Sequence, residues 1–108
     1  MSLRQKGQKA DADGRTELVL RLYIAAGAPN SVQAVENIKE ICHEHHRGAH
    51  RLEIIDVLEH PRRAMTAGIL VTPTLVKLSP APVAQVVGNL SDRHKVLLAI
   101  GSNRENHE

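Results

Sequence analysis

GILVTPTLV, Gly68 to Val76, is the stretch on which the reading of this fold turns. An aliphatic run, Ile69-Leu70-Val71, meets Thr72-Pro73-Thr74, and a second aliphatic run then starts at Leu75. Proline has no backbone N–H to give to a sheet, so the stretch predicts a strand over Leu70–Leu78 that is interrupted at Pro73 and irregular at its start. The Thr72-Pro73 bond is also of the one kind for which a cis peptide costs as little as about 0.5–1 kcal/mol.

Working outward, the hydrophobic periods on either side give the other elements. Leu18 to Ala25 alternates, with Leu18, Leu20, Leu22 and Ile24 on one face and Val19, Arg21 and Tyr23 on the other, which is strand periodicity. Gly27, Pro29, Asn30 and Ser31 make a turn, with Asn30 or Ser31 available as a helix cap. From Val32 the apolar positions Val35, Ile38, Ile41 and Cys42 recur every three to four residues, predicting an amphipathic helix to about His46 that Gly48 ends. Arg51–Val57 is rich in β-branched residues and reads as a central strand covered on both faces, parallel to the first. Pro61 suits the first position of a short helix over 61–67, closed by Gly68. After the strand through Pro73, the Ser-Pro-Ala-Pro turn at 79–82 leads to a strand over Val83–Val87, and Ser91 is placed to cap a last helix over 92–100. The order β-α-β-α-β-β-α is the thioredoxin-like arrangement of an α/β domain.

The polar stretch at 1–16 reads as an N-terminal arm and 102–108 as a tail, leaving 17–101 as one folding domain. Tyr23 is the only aromatic, so the core has to be aliphatic. A net charge of +2, with arginine and lysine scattered among acids and almost no ring to stack on a base, gives no nucleic-acid footprint. No apolar run approaches the roughly 20 residues that span a bilayer, and the single cysteine fits a reducing compartment, so the expected location is the cytoplasm.

In a thioredoxin-like enzyme the redox pair sits where the first strand turns into the first helix. Here that turn is Ala25-Ala26-Gly27-Ala28-Pro29-Asn30-Ser31, with no thiol or metal ligand, and Ser31 reads as a cap. Cys42 falls on the apolar face of the helix and behaves as a small hydrophobe. The Cys42-His43-Glu44-His45-His46 run has helical ligand spacing but no second ligand cluster elsewhere in the chain, and tetrahedral zinc usually draws on two segments. No catalytic residue, metal site or cofactor is expected.

Four segments, LRLYIAAGAPNS (Leu20–Ser31), IIDVLEHP (Ile54–Pro61), ILVTPTL (Ile69–Leu75) and PAPVAQVVGNLSDRHKVL (Pro80–Leu97), together strongly resemble the KaiB family of circadian-clock proteins. The resemblance spans about residues 18–100. It implies a non-enzymatic partner of KaiC, a hexameric ATPase and autokinase. Family members are metamorphic: a resting homo-oligomer, tetramer or dimer, holds a rearranged fold from about residue 61 onward, and a thioredoxin-like monomer docks on the KaiC ring. In clock-bearing cyanobacteria the docked form also captures KaiA and competes with a sensor kinase that carries a thioredoxin-like domain. By this resemblance, Arg21 on the solvent face of the first strand, Gln33 and Glu36 on the first helix, and Gly68 are expected to bind the partner. Pro73, Pro80, Pro82 and Ala99 fall in the segment that changes fold.

Ala84-Gln85 stands where clock members often carry a basic pair, Gln33 where they carry a basic residue, and the mixed-charge SNRENHE where they carry an acidic tail. A KaiA-independent homologue in a stress-response or non-oscillating KaiB/KaiC system is therefore a second reading, and a thioredoxin-like oxidoreductase using Cys42 a third.

Overall fold

The computed structural model describes residues 17–45 and 50–101. The expected arm and tail lie outside these residues, as do Gly48 and His46 at the expected end of the first helix. The elements are β1 (Leu18–Ile24), α1 (Pro29–His45), β2 (His50–Asp56), α2 (Pro61–Thr66), β3 (Thr74–Ser79), β4 (Ala84–Val87) and α3 (Arg93–Ile100). They form one sheet in the order β2-β1-β3-β4, with β2 parallel to β1, β3 antiparallel to β1, and β4 antiparallel to β3. This is the thioredoxin-like order that the periodicity predicts.

Alternation along each strand sends side chains to two unlike cores. On one face Leu18, Leu20, Leu22, Leu75 and Val86 pack with Ala34, Ile38, Ile41 and Cys42 of α1 and with Val96 and Ile100 of α3. On the other, the buried apolar cluster among the described residues is Tyr23, Ile55 and Val76 with Ala64 of the short α2, and Val57, Ile69 and Leu78 are partly buried around them. Lys77 alternates with Leu75 onto the first face and is buried there, and loss of hydration pushes its ammonium below the usual lysine range.

Several boundaries and caps differ from the sequence reading. Among the described residues β2 is an edge strand, paired only with β1, and Ile54 remains 37% exposed. Its β-branched run was expected to mean cover on both faces, but the same composition also suits a strand packed on one side. α1 begins at Pro29, so Ser31 lies inside the first turn. Its N–H and that of Val32 donate to the Ala28 carbonyl, while the buried Ser31 hydroxyl accepts from the Ala25 N–H at 3.1 Å. Ser31 thus fixes the strand-to-helix turn rather than capping the helix, as neither Ser31 nor Asn30 precedes it. At α3 the cap is Asp92, which accepts from the Lys95 N–H at 3.2 Å, while the Ser91 N–H donates to the Asn89 side chain.

β3 starts only at Thr74. Leu70 is 93% exposed and Val71 half-exposed, and the Thr74 hydroxyl donates to the Val71 carbonyl at 2.8 Å, which holds the non-strand lead-in against the sheet. β4 likewise begins at Ala84, one residue later than expected, and β1 ends at Ile24. Thr72-Pro73, Ser79-Pro80 and Ala81-Pro82 are cis. Gly68 does close α2: at φ +73° its N–H donates to Met65 and the next N–H, of Ile69, to Ala64, satisfying two helix-end carbonyls. Ile69 packs back toward Ala64, completing the motif with an apolar contact.

Candidate functional site

The turn that would carry a dithiol runs from the end of β1 into α1. Ala28, Pro29 and the Ser31–Ala25 bond hold its shape, and Gly27 takes φ +88°, where a side chain would be strained. Beside it lies a cavity of about 270 Å³ lined by Ile24, Gly27, Ser31, Val32, Val35 and Glu36. Its wall is aliphatic, with the Glu36 carboxylate on the rim and half-exposed Val32 beside it. A surface so built can bury an apolar side chain of another molecule, and its lining carries no thiol.

Cys42 is 1% exposed, and burial pushes its thiol up to about 11. Disulfide exchange needs an accessible thiolate, so this cysteine packs the core and does not react. His43 and His45 are exposed while Cys42 points inward, and among the described residues no group of three or more metal-binding side chains comes together.

The four residues expected to bind a partner do not form one patch. Glu36 and Gln33 share the exposed side of α1, but Gln33 also accepts from the Asn89 amide at 2.9 Å, and Asn37 donates to the Asn89 carbonyl at 2.8 Å. Asn89 therefore clamps the β4–α3 connection to α1, next to Leu90, which is held at φ +65°. Arg21 lies on the opposite sheet face. Its guanidinium meets Glu53 at 3.1 Å, and Arg63 of α2 reaches the other oxygen of the same carboxylate at 2.9 Å. Hydrogen bonding by Arg63 is the main reason that the Glu53 carboxyl lies below its usual range. Gly68 is exposed in the connection leaving α2. Pro73 leads into β3, Pro80 and Pro82 follow it, and half-buried Ala99 packs against the larger core from α3.

Asn89 and Glu53 carry roles that the sequence reading missed. The Gly88-Asn89 pair before a capped helix was a turn signal that could have pointed to Asn89. Glu53 had only its alternation with Arg51 in a strand, which names no partner.

Solved structures share the thioredoxin-like fold of this chain. The N-terminal domain of Synechococcus elongatus SasA superposes with a TM-score of 0.65 at 27% identity, over 76% of this chain and 79% of that one. Chloroplastic thioredoxin z gives 0.68 at 17% identity, over 83% and 80%, which shows the shared fold. The circadian clock oscillator protein KaiB of Trichodesmium erythraeum is 48% identical over 82 residues, 76% of this chain and 79% of that protein. KaiB of Gloeothece citriformis is 45% identical over 86 residues, 80% of this chain and 81% of that protein. The KaiB domain family matches residues 21–101, from within β1 to the end of α3. On fold, turn and sequence together, this chain belongs to the KaiB family.

Proposed function

We propose that this protein is a non-enzymatic clock-type regulator that docks, as a thioredoxin-like monomer, on a KaiC-type hexameric ATPase and modulates its ATPase or phosphorylation cycle. The observation that carries this reading is the turn at Ala25–Ser31: the place of a redox centre is kept in shape by Ser31 and Pro29, lacks any thiol, and borders an aliphatic cavity rimmed by Glu36. A turn kept without its chemistry serves recognition. Gln33 and Glu36 of α1 form the contact surface nearest to it, with Gly68 and Arg21 as flanking contacts.

The second half of the reading is a fold switch. The segment from Pro61 onward rearranges into a resting tetramer or dimer, with Pro73, Pro80, Pro82 and Ala99 in the part that changes. Because Ala84-Gln85 occupies β4 with no basic side chain, a KaiA-independent system, in a stress response or without oscillation, is the second reading beside one that also binds KaiA. Competition with a sensor kinase bearing a thioredoxin-like domain stays within the same docking mode. Co-migration of the purified chain with a KaiC hexamer on a sizing column, with nucleotide present, tests the proposal. A chain that elutes at its own volume at every nucleotide state tried would rule it out.

A further inference from the structure

The second sheet face carries a site that neither the turn nor the α1 surface uses. One cross-strand row runs over all four strands on this face, Glu53–Arg21–Val76–Gln85. Alpha-helix α2 is too short to cover it, and between the helix and β4 lies a cavity of about 520 Å³. Its floor is aliphatic, from Val76, Leu78 and Val83, over the buried ring of Tyr23. Arg21, Arg62 and Arg63 line the same space. Glu53 engages two of these guanidinium groups, whereas Arg62 makes no ion pair among the described residues. Three cations against one carboxylate leave the mouth of an apolar trough positively charged.

We infer that this trough, which shares only Arg21 with the surface proposed for the ATPase, binds an extended acidic and aliphatic peptide segment of a protein partner. Charge complementarity selects the acid, since guanidinium forks match carboxylates in a two-pronged contact. The aliphatic floor takes the intervening side chains, since alternate residues of an extended peptide face one way. A phosphate-rich ligand fits less well. Arg63, Thr66 and Ala67 stand at the carbonyl end of α2, whose partial negative charge opposes dense negative charge, and the covered Tyr23 ring offers no base a stacking surface.

The test uses a fluorescein-labelled peptide of alternating leucine and glutamate on the full chain, read by anisotropy and by amide shifts in two-dimensional NMR. Saturable binding is expected, with shifts at Arg21, Val76 and Gln85, and Arg62→Glu should weaken it by about fivefold or more. Because Arg62 is exposed and unpaired among the described residues, that variant keeps the fold. Equal binding of a leucine and lysine peptide would overturn the inference, since apolar adhesion alone would then explain it. So would the absence of binding, shifts at Val32 and Glu36 instead, or ATP replacing the peptide with shifts at the same arginines, which would make the site one for phosphate.

Discussion

The two faces of the sheet are held by different amounts of core. Among the described residues, twelve buried apolar residues interlock under α1 and α3, from Leu18 to Ile100, whereas under α2 the buried apolar cluster is Tyr23, Ile55, Ala64 and Val76. The first face can therefore fix the domain while the second remains open enough to line a trough with arginines. The same contrast divides the chain. β1 and α1 supply seven of the twelve residues in the larger core, and α2 meets the sheet through a six-residue helix. A segment joined by so few buried contacts opens at low cost relative to the whole fold.

The sharpest way to break this comparison is to cut both cores. Ile38→Ala should destabilise the protein by about 2–5 kcal/mol, toward the upper part of that range, because the surrounding packing leaves a closed cavity. Ile55→Ala should fall near its lower end, about 2 kcal/mol, because an edge strand beside an open trough can relax. Urea denaturation of both variants decides it, and equal losses would mean that the faces are equally packed.

Next in size is the cap of α3. Asp92→Ala should cost about 0.5–2 kcal/mol, whereas Ser91→Ala should cost little, since only Asp92 accepts from a helix N–H. Ala99→Gly comes next, at about 0.8–1.0 kcal/mol of helix propensity in α3. If the proposed fold switch exists, two-dimensional NMR at matched low concentration should show Ala99→Gly lowering the thioredoxin-like population. Unchanged populations would separate α3 from any such balance.

Titration gives an opposite pair of effects on the face under α1 and α3. The Cys42 thiol rises from 9.0 to about 11 on folding, so the folded state holds its proton longer, and the stability this gives is complete below pH 9 and lost toward pH 11. Lys77 is shifted down, so the unfolded chain binds the extra proton, and stability rises with pH between its lowered folded value and its ordinary one. Cys42→Ala should flatten the alkaline loss and Lys77→Met the gain, as read by melting temperature against pH. A thiol reagent should label Cys42 only on unfolding. The smallest effect is at Glu53, whose exposed carboxylate loses its arginine contacts as pH falls through its lowered folded value. Solvent screens this pair, so Glu53→Gln should barely move the melting temperature while changing peptide binding at the trough.

How much of this was legible in the sequence follows from what each signal measures. Periodicity found β1 and α1, because Leu18, Leu20 and Leu22, or Ile38, Ile41 and Cys42, repeat with the pitch of the structure that buries them, whereas α2, β4 and α3 were read from Pro61 and Gly68, the Ser-Pro-Ala-Pro turn and a helix cap. It failed at β2, where Ile54 and Ile55 are apolar whether or not a neighbouring strand exists, so composition could not tell an edge from a centre. It failed at Ser31 and Ser91, because a serine near a helix start suits several hydrogen-bond partners and only geometry selects one. The split of Arg21 from Gln33 and Glu36 was implicit in strand alternation, which puts Arg21 opposite Leu20 and Leu22. The meeting of Arg21 and Arg63 on Glu53 was not legible, since it depends on where α2 lands across the sheet.

The thiol-free turn and its α1 border are proposed to recognise a KaiC-type ATPase ring. Sedimentation of the labelled chain with a KaiC hexamer and nucleotide, beside the Glu36→Arg variant, tests it most directly. The account predicts that the parent chain travels with the hexamer and that Glu36→Arg weakens this with an unchanged melting temperature. Equal co-sedimentation of parent and variant, or none by the parent, would contradict it.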